Sequence, residues 1–125
     1  MSNKVILETG TAAEFFARTK EHAKRLDSGE KLAPEIRLIF EDPADLLRVL
    51  SLERLRVLRT IRTNKNSTIS ALALILKRDR KAVTRDVNLL KSLGLLRTRR
   101  ESNPGHGVNT IVEPLAKKYH LTAVL

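Results

Sequence analysis

The 125-residue sequence contains no cysteine and no tryptophan, and aromatic residues make up only 3% of it. Without cysteine there is no disulfide, no thiolate metal site and no cysteine nucleophile, which fits a reducing cytoplasm, the expected location. With three Phe and a single Tyr, Tyr119, the core must be aliphatic, and stacking platforms for single-stranded nucleic acid are scarce. No apolar run approaches the roughly 20 residues that cross a bilayer, so no membrane role is expected. The first residues lack the basic stretch and apolar core of a secretion signal. Catalytic patterns are also missing. His22, His106 and His120 stand apart in sequence, and no Ser/His/Asp pattern, zinc-ligand spacing or phosphate loop occurs. Neither an enzyme, nor a cofactor, nor a metal site is therefore expected. Adjacent carboxylates such as Glu41-Asp42 fall where a strand ends and a helix is capped.

What the sequence does have is positive charge, and it is concentrated. The formal net charge is +10. Ser51 to Thr110 holds 14 Lys+Arg against 4 Asp+Glu, a net of +10, and the remaining residues hold 10 of each, a net of zero. A generally basic protein spreads its excess. An excess confined to one block of a chain with 42% hydrophobic residues reads as a folded footprint for a polyanion.

The local patterns predict an α+β, mainly α chain. Lys4 to Thr9 is a β-branched run closed by Gly10, hence a strand. Thr11 and Glu14 have capping-box spacing ahead of a helix from Ala12 to Leu26, which Asp27-Ser28-Gly29 ends. Glu35 to Glu41 alternates as a half-buried strand, and Asp42 caps a short helix from Pro43 to Leu50. These first fifty residues form a strand-helix-strand extension suited to dimerisation or partner binding. From Ser51 a DNA-binding unit is expected to run to residue 125. Leu52, Leu55, Leu58 and Ile61 recur at helical spacing among arginines. Ser67 is expected to cap a second helix, Thr68 to Leu76. Lys77-Arg78 is a tight connection, Asp79 caps a third helix to Leu93, and Gly94 stops it. A hairpin follows: a basic strand Leu95 to Arg100, a long tip Glu101 to Gly107, and a return strand Val108 to Val112 that Pro114 breaks. Tyr119 to Leu125 reads as a last strand.

Helix, short helix, tight turn, helix, basic hairpin is the order of a winged helix-turn-helix. The third helix then needs one aliphatic face and one polar face. Val83, Val87 and Leu90 supply the first, widened by Ala82, Leu89 and Leu93. Arg80, Lys81, Thr84, Arg85 and Asn88 supply the second. Arg80 and Arg85 can grip guanine O6 and N7, Asn88 can pair with adenine, Thr84 can meet a thymine methyl, and Lys81 suits phosphate. Ser67 and Thr68 lie where a helix start favours phosphate. In the wing, residues 95–112, Arg97, Arg99, Arg100 and His106 are candidates for the backbone or the minor groove. Each residue alone could be an ordinary solvated side chain, and wing arginines also guard sheet edges. Amphipathicity, caps, lengths and the following hairpin agree as a set.

The segment Ser67 to Leu96, S-T-I-S-A-L-A-L-I-L-K-R-D-R-K-A-V-T-R-D-V-N-L-L-K-S-L-G-L-L, resembles the helix-turn-helix of MarR-like winged-helix regulators. Over nearly the whole chain, through F-F-A-R, R-L-D-S-G-E, I-R-L-I-F-E and D-L-L-R-V-L-S-L-E-R-L-R-V-L-R, the sequence resembles a group of short prokaryotic transcriptional regulators often classed as antitoxin-like. The resemblance implies a DNA-binding homodimer and, beyond it, a toxin partner. Leu74-Ile75-Leu76 departs from the pattern, being more apolar than the polar or glycine turn in which such a helix usually ends.

The function expected is therefore sequence-specific binding of double-stranded DNA by a transcriptional regulator, as a repressor. The alternative is an antitoxin that neutralises a toxin through its amino-terminal region and binds DNA for autoregulation. A protein-only adaptor does not need so much uncompensated charge, and an RNA binder normally wants aromatics. A homodimer is expected because one short reading head covers only a half-site. The apolar flanks Val5-Ile6-Leu7 and Leu121 to Leu125 are the expected interface.

Overall fold

A computed structural model describes residues 2–31, 34–105 and 107–124. The chain divides into two compact units, Met1–Val49 with Ala116–Leu125, and Leu50–Leu115.

The first unit is a parallel three-stranded sheet with two helices. Strand β1 (Ser2–Thr9) is central, flanked by β2 (Glu35–Phe40) and β6 (Ala116–Thr122), in the order β2-β1-β6. Both pairings are parallel, with Val5 opposite Ile36 and Tyr119, and Leu7 opposite Leu38 and Leu121. Helix α1 (Ala12–Asp27) makes the crossover from β1 to β2, and α2 (Pro43–Val49) packs against both strands and buries Leu46. The expected cap of α1 is present: the Thr11 hydroxyl accepts from the Glu14 amide at 3.1 Å.

Two expectations change here. Residues 116–125 were expected to belong with the DNA-binding unit, whereas β6 pairs with β1 and returns the chain to the first unit. The free edge of β1 pairs with the backbone groups of β6 from Ser2↔Ala116 to Glu8↔Thr122. Val5, Ile6 and Leu7 are already buried within the chain, and β1 has neighbours on both sides, so this segment is not a free interface.

The second unit contains α3 (Leu52–Thr63), β3 (Ser67–Thr68), α4 (Ile69–Leu76), α5 (Arg80–Ser92), β4 (Leu96–Asn103) and β5 (Gly107–Pro114). The strands form an antiparallel sheet in the order β3-β5-β4. Its core is aliphatic, as the scarcity of aromatics requires. Val57, Leu58 and Ile61 of α3 and Leu72 of α4 are buried, as are Val83, Val87 and Leu90 of α5 and Leu95, Leu96 and Val112 of the hairpin. Burying each such side chain contributes about 1.5–3 kcal/mol.

The caps show how local sequence sets the ends. The Ser51 hydroxyl accepts from the Arg54 amide at 3.3 Å and opens α3. For α4 the cap is Thr68, whose hydroxyl accepts from Ala71 at 3.0 Å, and not Ser67. Ser67 pairs with Val112 in β3, and its hydroxyl donates to the Asn64 carbonyl. One more residue is therefore spent on the sheet before the helix begins. Asp79 holds the N-cap position of α5, but its side chain makes no capping bond. Gly94, at φ 75°, ends α5 as expected: its amide donates to the Lys91 carbonyl and Leu95 to Leu90. The hairpin strands run further than expected, with Glu101 to Asn103 in β4 and Pro114 as the last residue of β5, so the tip is shorter.

Candidate nucleic-acid interface

Helix α5 places the polar candidates as its periodicity requires. Val83, Val87 and Leu90 face inward, and Arg80, Lys81, Arg85 and Asn88 are exposed. Thr84 is half-buried, and its hydroxyl donates back to the Arg80 carbonyl at 2.8 Å. That bond orients the side chain and leaves its methyl and one lone pair outward. Arg80, Lys81 and Arg85 make no ion pair among the described residues. Their charge is uncommitted.

A buried carboxylate holds α5 in place. Asp86 is 8% exposed, the one buried charged residue among those described. It accepts from Arg78 Nη1 at 2.7 Å and from Arg54 Nε at 3.3 Å, and Arg78 also reaches Glu53 at 3.4 Å. The cluster ties α5 to α3 and to the turn after α4. In that turn Lys77 is left-handed, at φ 53°, and the Arg78 amide donates to the Ala73 carbonyl. Asp86 was not among the expected site residues. The available signal was an acid three residues after Val83 and one before Val87, on the aliphatic stripe rather than opposite it.

A concavity of about 500 Å³ opens between the start of α4, the outer face of α5 and the wing. Thr68 and Ser70 line one end, Arg80, Thr84, Asn88 and Lys91 one wall, and Thr98, Arg100, Asn109 and Thr110 the other. Of the expected residues, the fold brings Thr68, Arg80, Thr84, Asn88, Arg99 and Arg100 into this one depression. Lys81 and Arg85 lie with Asp79, Arg80 and Thr84 around a shallower hollow at the start of α5. Ser67 lines neither. Lys91, Ser70, Asn109 and Thr110 were not expected. Lys91 lies one turn beyond Asn88 on the same face and was legible; the strand residues depend on hairpin register.

The wing arginines divide. Arg97 and Arg99 share a face, as alternation demands, but that face also carries acids. Both bond Glu113 through Nε at 2.6 Å, and Arg99 reaches Glu101 at 2.6 Å. Hydrogen bonds from Arg99, then Arg97, hold the Glu113 carboxyl below its ordinary value of 4.5. Arg100 points to the other side, lines the concavity, and has no ion pair among the described residues. His106 lies outside the described residues.

A family model described as HVO_A0114 matches residues 49–109. No curated protein matches the sequence. Among solved structures, the chain is similar to a protein described as a possible transcriptional regulator from Methanosarcina mazei Go1, with 23% identity and a TM-score of 0.50 over 62% of this chain and 68% of that one. A MarR-like transcriptional regulator from Thermotoga maritima is matched at 17% identity and a TM-score of 0.40, over 82% and 65% of the two chains. A zinc-responsive MarR family member from Lactococcus lactis is matched at 19% identity and 0.44, over 85% and 68%. The likeness to the Methanosarcina protein is one of fold, over the 62% of this chain that the match covers.

Proposed function

We propose that this chain is a sequence-specific double-stranded DNA-binding transcriptional regulator of the winged helix-turn-helix kind, acting as a repressor and as a homodimer. The observation that carries the reading is the outer face of α5. Its cations make no ion pair among the described residues, its inner face is buried, and it forms one wall of a polar concavity whose other wall is a hairpin. A helix of this kind fits the major groove of B-DNA, about 12 Å wide. Arg80, Arg85 and Asn88 would read base edges. Lys81, Lys91, Thr68 and Arg100 would take backbone oxygens on either side. Arg97 and Arg99, being paired to Glu113, would contact phosphate only by sharing or leaving that carboxylate.

The fold likeness supports a regulator, and a dimer follows from the short reach of one reading head. A toxin partner, implied by sequence resemblance alone, finds no support in the comparisons. The test is selection of bound duplexes from a random pool, followed by Arg85→Ala. Loss of base preference at one position, at a cost of about 1–3 kcal/mol, is expected. With about six phosphates covered, affinity should fall roughly a thousandfold from 50 to 200 mM salt. Absence of duplex binding at low salt would overturn the reading. Light scattering at micromolar concentration tests the dimer.

A further inference from the structure

The positive charge of the second unit is not all on the α5 face. Glu53, Asp86, Glu101 and Glu113 are occupied by Arg54, Arg78, Arg97 and Arg99. Apart from Lys77 in the turn after α4, the uncommitted cations form two groups. One is the α5 and wing set already described. The other is on α3, where Arg56, Arg59, Arg62 and Lys65 just beyond are exposed and make no ion pair among the described residues. Arg56, Arg59 and Thr63 follow one another at i, i+3 and i+7 and line a groove of about 360 Å³ whose opposite side is Ile75 and Leu76 of α4. This groove is at the end of α4, and the DNA concavity is at its start; they share no residue.

Ile75, which lines the groove, is 49% exposed, and Leu74, its neighbour in sequence at the unusually apolar end of α4, is 80% exposed. Leu52, 70% exposed, lies one turn before Arg56 on the same face of α3. A phosphate backbone has no use for these aliphatics. A second copy of this chain brings ten more positive than negative charges, and many of its carboxylates are already paired. An acidic protein segment with apolar residues at helical spacing satisfies both halves of the surface at once.

We propose that the α3/α4 groove is a docking site for an acidic amphipathic helix of a partner protein. Carboxylates would meet Arg56 and Arg59, and aliphatic side chains would lie on Ile75. The α3 stripe from Arg56 to Thr63 is about 10 Å long, so about two turns of partner helix fill it. So small a contact gives a transient complex of micromolar strength. The inference is independent of DNA binding.

The experiment uses the full chain and a fluorescein-labelled fourteen-residue helical peptide with Glu and Leu at i, i+4 spacing. Oligoglutamate and a duplex of about 20 base pairs, a length near two helical turns, serve as comparators. Fluorescence anisotropy is expected to show saturable peptide binding that oligoglutamate does not match. Arg56→Glu with Arg59→Glu should weaken it at least about tenfold, and Ile75→Ser severalfold. Arg85→Ala should leave it unchanged, and the duplex should not displace it. All the substituted residues are exposed, and circular dichroism melts verify folding. Peptide binding that survives the double charge reversal overturns the proposal. So does binding lost with Arg85→Ala or displaced by duplex, which would place the acid on the α5 face. If the reversal weakens duplex binding as much as Arg85→Ala does, the groove is a phosphate surface and the proposal fails.

Discussion

Replacing Asp86 by alanine is expected to destabilise the unit Leu50–Leu115 by about 3 kcal/mol, although no aliphatic contact is removed. The Asp86 side chain is 11% exposed, and its partners Arg54 and Arg78 are 26% and 20% exposed. A hydrogen bond to a charged group contributes about 1.5–3 kcal/mol. Removing one partner of a buried ion pair costs about 3–5 kcal/mol, because the other charge stays where water is scarce. Two features pull the value toward the lower end: the Arg54 bond is long at 3.3 Å, and Arg78 keeps Glu53. Urea unfolding followed by circular dichroism measures the effect. With a slope of about 1.5 kcal/mol/M, the midpoint should fall by about 2 M. Asp45→Ala is the control, since its pair with Arg48 is 53% and 76% exposed and should be worth at most about 0.5 kcal/mol. At a temperature where Asp86→Ala remains folded, its DNA affinity should also fall, because α5 loses the tie that orients it. A midpoint within about 0.3 M of wild type, equivalent to about 0.5 kcal/mol at that slope, would refute the view that this cluster anchors α5.

Thr68→Ala removes the hydroxyl that caps α4 and should cost about 1 kcal/mol in the same denaturation assay, whereas Ser67→Ala should cost less. Arg100→Ala should weaken duplex binding and lower the salt-dependence slope by about 1, and Arg97→Ala should do so by less because Glu113 already holds that guanidinium. Glu113→Gln should tighten duplex binding by freeing Arg97 and Arg99, as seen in a filter-binding or anisotropy titration; weaker binding would mean that Glu113 serves to orient them. Acid should destabilise the fold through Glu35, whose carboxyl is held low by its bond to Arg37. A depressed folded value means that this stabilisation is present above the ordinary 4.5 and is lost as pH falls below it. The thermal midpoint should therefore drop below pH 4.5, and Glu35→Gln should flatten that drop.

Most helix and strand identities were legible, because the aliphatic spacing of α5 and the alternation of β2 are properties of consecutive residues. The same holds for the exposed residues of α5, which lie opposite Val83, Val87 and Leu90 whatever the helix packs against. The caps were less legible. Ser67 and Thr68 are both competent, and only the bridge from Ser67 to Val112 decides which one opens the helix. The wing arginines show the same limit. Alternation puts Arg97 and Arg99 on one face, but the sequence does not show that Glu113, sixteen positions after Arg97, arrives on that face by strand register.

By itself, then, the sequence determined an aliphatic core, a concentrated positive block, the order of the helices and hairpin, and the amphipathic helix α5. These depend on composition and on neighbours within a turn or a strand. The tertiary structure decided what depends on distant residues meeting. It returned the last strand to β1, and it buried Val5 to Leu7. It seated Asp86 between Arg54 and Arg78, and separated wing arginines held by acids from Arg100. It also resolved one excess of charge into two faces, the outer side of α5 with the wing and the groove of α3 with α4. Net charge is a sum over residues, whereas a binding surface depends on which of those charges are left without partners once the chain has folded.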